Sequence, residues 1–506
     1  MDSLFDQGPP PACPAPFNLA AYVLAQADAA PDKTALSVVT LTGSEDWSYA
    51  RLRAAVQGCG AGMLAAGAVP GDRVLMRLGN TVDFPLAFLG AIAVGLVPIP
   101  TAAQLTEPEV AAIIAETGPR LILHEAGVPC PAHPGRIAHA AFGTFRDLPP
   151  ALFAMGDPDR LAYILYTSGT SGQPRAVCHA HRAIWARRMM WQGWYDLRPG
   201  DRLLHAGVFN WSFTLGTGLL DPWAIGATAL IPAASDPAQL PLLLARHRAT
   251  IFAAAPGVYR RVLAAGPLPA LPHLRHGLTA GEKLPASLQD AWEAATGTGL
   301  HEAYGMSECS TFISANPDAP AHGSLGRPQP GRRVAIVDAG GTPVPVGTPG
   351  AIALSRRDPG LMLGYLGQPA ETAARMRGEW FVTGDTGWMD DRYHIGYLGR
   401  DDDMMNAGGF RVSPIEVEHR LSAHPDIAEV AVTEVQVRPD VTVIAAFYVA
   451  ERDLDSAALS RFAARGLARY KQPRLYRRVP ALPRGANNKI LRKRLRQEFE
   501  VSDDQA

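Results

Sequence analysis

An α/β fold, with a large N-terminal part and a small C-terminal part, is predicted by three observations on the 506-residue sequence. From about Phe17 to Ala254, short apolar runs alternate with segments of helical periodicity, as layered helix-and-sheet architectures require. Beyond residue 325 the helical patterns thin out and short strands between Gly/Pro turns take over, so this part reads as β-rich. From about Asp402 the pattern returns to mixed helix and strand, which places a junction near Gly399–Asp403.

In order, Leu19–Ala29 reads as a helix, Thr34–Val39 as a strand, Tyr49–Ala66 as a helix, Arg73–Met76 as a strand and Thr81–Val94 as a helix. The alternation recurs around Ala111–Glu116, Leu121–His124, Leu161–Tyr166, Ala183–Met190, Thr228–Ile231 and Ile251–Ala254. Val334–Val337, Gly350–Leu354, Trp380–Thr383 and His394–Tyr397 are the short strands of the β-rich part. In the C-terminal part, helices Ile415–Leu421 and Ser456–Ala468 accompany strands Ile427–Val437 and Val441–Val449. The sequence has no internal repeat and no long linker.

Hydrophobic residues at 47% and charged residues at 19% give ample core and exclude disorder, collagen and coiled coil for the whole chain. Forty-seven Lys/Arg against 48 Asp/Glu leave a net charge of −1, so no global field points to nucleic acid or an anionic membrane. Five cysteines (Cys13, Cys59, Cys130, Cys178, Cys309), widely spaced and without a C-x-x-C pair, fit neither a disulfide framework nor a structural zinc site. The N-terminus lacks the basic and apolar regions of a signal peptide, and the apolar run Leu86–Val97 is too short for a membrane span. A cytoplasmic monomer or homodimer is expected.

Four segments carry chemistry. Tyr166-Thr167-Ser168-Gly169-Thr170-Ser171-Gly172-Gln173-Pro174-Arg175 follows an apolar strand and is dense in hydroxyl and backbone N–H donors that can wrap a polyphosphate, with Arg175 adding charge. It is not a Walker A loop, and a plain Ser/Thr/Gly turn is its other reading. In Ala303-Tyr304-Gly305-Met306-Ser307-Glu308 a carboxylate stands where it could hold Mg²⁺. The strand Trp380–Thr383 runs into Gly384-Asp385, whose carboxylate can accept from ribose hydroxyls, and Gly399-Arg400-Asp401-Asp402-Asp403 follows. Finally, Pro483–Arg492 forms a turn ending on Lys489, inside a stretch, 461–497, with 13 Lys/Arg and no Asp or Glu. Aromatics are sparse there, so cofactor phosphates suit it better than nucleic acid, and a solvated face is the other reading.

In this order the segments resemble the adenylate-forming superfamily of acyl-CoA synthetases, peptide-synthetase adenylation domains and luciferases, over about residues 20 to 495. The resemblance implies two α/β subdomains plus a β-barrel-like subdomain within residues 1–400, and a small mobile α+β domain over residues 401–506. It would make Thr167 to Gly172, with Arg175, the pyrophosphate loop. Tyr304 would pack on adenine beside Gly305 and Ser307, Gly281-Glu282 would line the adenine and acyl pocket, and Glu308 would hold Mg²⁺. Asp385 would bind the ribose with Arg400 assisting, Asp402 would be the hinge, and Lys489 the adenylation lysine. Gly408-Gly409-Phe410-Arg411 would form the CoA tunnel, and Phe209, Asn210, Trp211, Ser212, Phe213 and Ala280 the acyl pocket.

The implied substrates are ATP, a carboxylic acid and CoA. A carboxylate must attack the anionic α-phosphate, so Lys489, Mg²⁺ and the loop donors would offset the repulsion, with Lys489, Glu308 and Thr167 as the catalytic set. Two positions depart from the family pattern: Arg175-Ala176 stands for Lys-Gly, and Asn488 for Gly. They are the basis of an alternative reading as a non-catalytic, nucleotide-binding regulatory member of the fold. With no carrier-protein segment in these 506 residues, a free-standing CoA ligase similar to benzoate-CoA ligases and medium-chain acyl-CoA synthetases is expected. Aromatic pocket walls without a nearby Lys or Arg favour a small aromatic or short-to-medium aliphatic acid.

Overall fold

The computed structural model describes residues 1–167, 175–233, 236–400, 405–407, 410–438, 441–467, 469–485 and 490–503. The chain divides into two compact units: Phe5–Val334 with Leu354–Glu379, and Met1–Leu4 with Ala335–Ala353 and Trp380–Ala506.

The larger unit is built on a nine-stranded sheet. Leu300–Met306, His276–Ala280, Ile251–Ala253, Arg202–His205, Thr228–Pro232 and Thr34–Val39 lie side by side and parallel. Antiparallel strands border this run, with Ser310–Ser314 on one side and Ser44–Ser48 on the other. The central strands are almost wholly buried, which explains their continuous apolar runs in place of alternation. A second, parallel sheet comprises Val97–Pro100, Arg73–Arg77, Leu121–His124 and Arg136–Ala138. The helix Tyr49–Ala65 packs on the fully buried helix Asp83–Ala93. Their backbones approach so closely that a Cβ at Gly60 would lie 2.8 Å from the Gly90 carbonyl oxygen.

In the smaller unit, the strands Val334–Val337, Gly350–Ser355, Trp380–Met389 and Ile395–Arg400 are successive neighbours in one sheet. Further on, Glu429–Arg438 pairs antiparallel with Val441–Val449, which pairs parallel with Leu475–Arg478. Both faces of this three-stranded sheet are buried. Val430, Val432 and Ile444 join Val417, Leu421 and Leu459 in one core, whereas Ala431, Val435 and Phe447 join Leu495 and Phe499 in another. The helices Pro414–Ser422 and Ser456–Ala464 supply the first core, and Arg492–Asp503 supplies the second.

The α/β class read from the sequence is therefore the observed one, with local differences. Leu19–Ala29 is two helices, Leu19–Val23 and Gln26–Ala29. The helix predicted over Ser456–Ala468 ends at Ala464, two residues before Gly466. The strand starting at Trp380 runs on to Met389, straight through Gly384.

Candidate active site

Parallel strands deliver their C-terminal ends to one edge of a sheet, where open α/β folds bind ligands. In the larger unit, Phe209 to Phe213 follow the strand Arg202–His205, Gly281-Glu282 follow His276–Ala280, and Tyr304 to Glu308 close Leu300–Met306. Three of the segments singled out in the sequence thus share one edge.

Trp211 and Phe213 form an aromatic corner, with ring centroids 5.1 Å apart. Phe213 packs on Trp194 and edge-on to His205, in a core that includes Ala280 and Ala303. Gly281 adopts φ +94°, and a Cβ there would meet the Trp211 indole at 2.6 Å. This position therefore needs glycine twice over, for its backbone and for the ring laid on it. Phe209 turns away into the other core, 5.5 Å from Phe84. Its backbone N–H donates to Asn80 Oδ1, and Asn80 Nδ2 donates to the Gly207 carbonyl, so Asn80 fixes the turn leading to Trp211. Asn210 is half-buried.

Among the described residues, cations near this wall are engaged by carboxylates. Arg187 is bidentate to Asp221, which also accepts from the Tyr195 hydroxyl. Lys283 Nζ is 3.0 Å from Glu302 Oε2. Glu282 has Arg260 at 3.8 Å. Beneath the wall, a cavity of about 30 Å³ is lined by Tyr163, His179, Arg187, Ser212, Ser307 and Ser310 among others, space for about two or three waters. Burial pushes His179 down to about 4, which leaves it neutral at physiological pH.

The phosphate-loop candidate is carried by a hairpin. Leu161–Thr167 pairs antiparallel with Arg175–Ala180, and Thr167 stands opposite Arg175. Ser168, Gly169, Thr170, Ser171 and Gly172 lie outside the described residues. A third strand, Gly364–Tyr365, joins the hairpin with Tyr365 opposite Val177. The Arg175 guanidinium lies 2.9 Å from Glu371 Oε2 and over the Tyr365 ring, so its charge is engaged by protein groups here.

Tyr304 is half-buried and edge-on to Phe312 at 5.4 Å. The strand is irregular between Tyr304 and Gly305, where a Cβ would lie 2.1 Å from the Ser310 carbonyl oxygen. That tight return places Ser307 at the cavity and holds Glu308 half-buried. Glu308 Oε1 accepts from the Tyr365 hydroxyl at 2.7 Å, and its backbone carbonyl accepts from Met362 N–H at 2.7 Å. Among the described residues no three His, Cys, Asp or Glu side chains form a self-sufficient metal site. A single carboxylate that shares its cation with substrate phosphates is nevertheless a usual Mg²⁺ arrangement, so Glu308 fits that ion.

In the smaller unit, Asp385 is buried and follows Gly384 at φ +81°. Its partner across the strand pair is Arg400, whose Nε is 4.0 Å from Oδ1, and the Tyr397 hydroxyl donates to Oδ1 at 3.4 Å. Asp385 N–H donates to Thr383 Oγ1. Ser413 caps the helix Pro414–Ser422 and donates to the Leu398 carbonyl. Asp402, Gly408, Gly409 and Lys489 lie outside the described residues. Around them, Met405–Ala407 pairs with Phe410–Val412, a strand that holds Phe410 and Arg411, and Arg484 bridges to Ile490.

Several side chains of the basic run 461–497 are engaged by acids. Lys471 pairs with Glu416, Arg484 with Glu429, Arg492 with Glu418 and Arg496 with Glu434, all acids from outside the run. Arg461 and Arg494 pair with Asp455 and Glu498.

A half-buried carboxylate at a tight turn in the larger unit and, in the smaller unit, a buried carboxylate beside an arginine are side chains of the kind a nucleotide-handling enzyme uses. Comparison with known proteins sharpens this class. The chain belongs to the AMP-binding enzyme family, which matches residues 23–366, with its C-terminal domain matching residues 416–489. A 3-hydroxybenzoate–CoA ligase of Aromatoleum sp. (strain CIB) is 32% identical over 90% of this chain and 92% of its own length. The benzoate–CoA ligase of Thauera aromatica is 31% identical over the same shares. Among solved structures, a benzoate CoA ligase from Burkholderia xenovorans LB400 superposes with a TM-score of 0.84 at 28% identity, covering 95% of this chain and 100% of that one. The anthranilate CoA ligase AuaEII in complex with anthranoyl-AMP gives 0.88 at 25% identity, covering 97% and 99%. The protein is an AMP-forming acid–thiol ligase that uses ATP and CoA. Among the described residues no helix is long and apolar enough to cross a membrane.

Proposed function

We propose that this ligase activates a small aromatic carboxylic acid, in two half-reactions. A carboxylate oxygen of the acid attacks the α-phosphorus of ATP and expels pyrophosphate, giving the acyl-adenylate. The CoA thiol, losing its proton, then attacks the acyl carbonyl and expels AMP. The observation that carries the substrate class is the corner of Trp211 and Phe213 against Ala280 and Gly281, with Arg187 and Lys283 neutralised by their own carboxylates. A flat apolar ring suits such a wall, and among the described residues the cations Arg187 and Lys283 are already engaged by carboxylates, which leaves a second carboxylate on the acid poorly served. The cited relatives, which act on benzoate, 3-hydroxybenzoate and anthranilate by name, support the same reading.

In this reading the donors from Thr167 to Gly172 hold the phosphates and Tyr304 packs on adenine, flanked by Gly281, Glu282, Gly305 and Ser307. Asp385, steadied by Arg400 and Tyr397, accepts from the ribose hydroxyls. Glu308 holds Mg²⁺, which when bound neutralises charge on the phosphates. Lys489 offsets the charge that develops as the two anions meet. Gly408 to Arg411 serve the thiol half-reaction, with Asp402 as the hinge that lets residues 401–506 present each set in turn. A cytoplasmic location fits these substrates.

Pyrophosphate release with ATP and Mg²⁺, across benzoates, short and medium fatty acids and dicarboxylates, tests this. Benzoate-class acids are expected to lead, with acyl-CoA formed only when CoA is added. Preference for a fatty acid would overturn the substrate class. Lys489→Ala should abolish adenylate formation while sparing thioester formation from preformed acyl-AMP; equal loss of both would contradict its role.

A further inference from the structure

One tyrosine ring lies between the strand that leaves the phosphate loop and the carboxylate assigned to the metal. The segment 362–366 is stitched to both. Leu363 N–H donates to the Cys178 carbonyl at 2.8 Å and Leu366 N–H to the Ala176 carbonyl at 2.9 Å, while Met362 N–H donates to the Glu308 carbonyl at 2.7 Å. Within it Tyr365 is buried, its backbone N–H held by Thr372 Oγ1 at 2.9 Å and its hydroxyl donated to Glu308 Oε1 at 2.7 Å. Behind the ring stands Arg175, the first described residue beyond the loop, with Cζ 5.3 Å from the ring centroid and its guanidinium anchored by Glu371 at 2.9 Å.

We propose that Tyr365 is a positioning residue that presets the Glu308 carboxylate for the cation, with Arg175 and Glu371 bracing the ring, so that the phosphate-loop arm and the metal carboxylate are held in one register. This rests on the reading of Glu308 as the Mg²⁺ ligand. Its physical basis is that Mg²⁺ demands near-ideal geometry, whereas a glutamate on a turn has several rotamers to lose on binding. A hydrogen bond that fixes one oxygen beforehand removes part of that cost, as partners behind metal ligands generally do. The arrangement also gives Arg175 a purpose: a planar guanidinium can lie over a ring and pair with a carboxylate at once, which a lysine does less well.

A purely structural tyrosine would account for the burial but not for cation binding, so the test reads the cation. Mn²⁺ binding to the full chain with α,β-methylene ATP would be followed by electron paramagnetic resonance, and unfolding temperature in parallel. Tyr365→Phe, which removes only the hydroxyl, is expected to weaken Mn²⁺ about tenfold, the size of one hydrogen bond to a charged group. The Mg²⁺ requirement of pyrophosphate release should shift equally, with KM for the acid unchanged. Glu371→Gln, at a surface position, should weaken Mn²⁺ less, and not additively with Tyr365→Phe. Unaltered Mn²⁺ affinity in Tyr365→Phe, while Glu308→Gln loses the ion, overturns the positioning role alone. Unaltered affinity in Glu308→Gln overturns the metal assignment itself.

Discussion

Arg187 and Asp221 show what a buried charge demands. Both are almost fully enclosed; the guanidinium meets both carboxylate oxygens, at 2.6 to 3.0 Å, and the Tyr195 hydroxyl adds a third donor. Asp221→Asn keeps the shape but leaves Arg187 uncompensated, and is expected to cost about 3–5 kcal/mol in chemical denaturation. A loss below about 1 kcal/mol, the range of exposed pairs, would contradict the isolation of this pair from solvent. Such residues are what the sequence could not disclose. Glu308 and Asp385 sit in short segments whose composition signals chemistry, whereas Gly281 is singled out through the family resemblance alone. Tyr365, by contrast, finds its partner 57 residues away, Arg175 meets Glu371 across 196 residues, and Asn80 meets Phe209 across 129. No local pattern encodes those meetings, which depend on how strands are ordered in the sheets.

At the scale of elements, apolar runs were legible because strand bounds follow burial. Thr34–Val39, Val334–Val337 and Val441–Val449 are as the sequence reading has them. Glycine misled where it was taken as punctuation: the Trp380–Met389 strand passes through Gly384 and Gly387 because an irregularity in the ladder between Thr386 and Gly387 absorbs the local change. The basic run reads in the sequence as a surface for cofactor phosphates or as a solvated face, and several of its lysines and arginines tie the C-terminal helix and loops to acids elsewhere in the same unit. Glu418 is the clearest case: it accepts from Val432 N–H and from Arg492, joining the helices Pro414–Ser422 and Arg492–Asp503 to the sheet between them. Arg492→Ala is expected to destabilise the protein by about 1.5–3 kcal/mol, the range for hydrogen bonds to a charged group. The salt dependence of KM for CoA should stay as in the parent enzyme. A flattened salt dependence with unchanged stability would return Arg492 to the CoA phosphates.

For the whole molecule, the larger unit carries a set of buried histidines that couple its stability to acid. Burial is the first cause in each case and pushes His181, His205 and His301 down to about 3 and His179 and His276 to about 4. For His181 the neutral form is built in, because Nδ1 accepts from Leu19 N–H at 3.0 Å, a bond that protonation of that nitrogen abolishes. In the unfolded chain each ring titrates near about 6.5. Between that value and the lower folded one, the unfolded state binds protons that the folded state refuses, so falling pH favours unfolding. Stability from this source is fully present above about pH 6.5 and is lost as pH drops towards the folded values, at a limiting slope of about 1.4 kcal/mol per pH unit for each histidine. Urea denaturation at pH 7.5, 6.0 and 5.0 should therefore show a fall that steepens below pH 6, before carboxylate titration sets in. His181→Asn should reduce that slope by about one histidine's share. A flat profile from pH 7.5 to 5.0 would mean that the folded protein takes up these protons without opening, and so that the rings are reached by solvent.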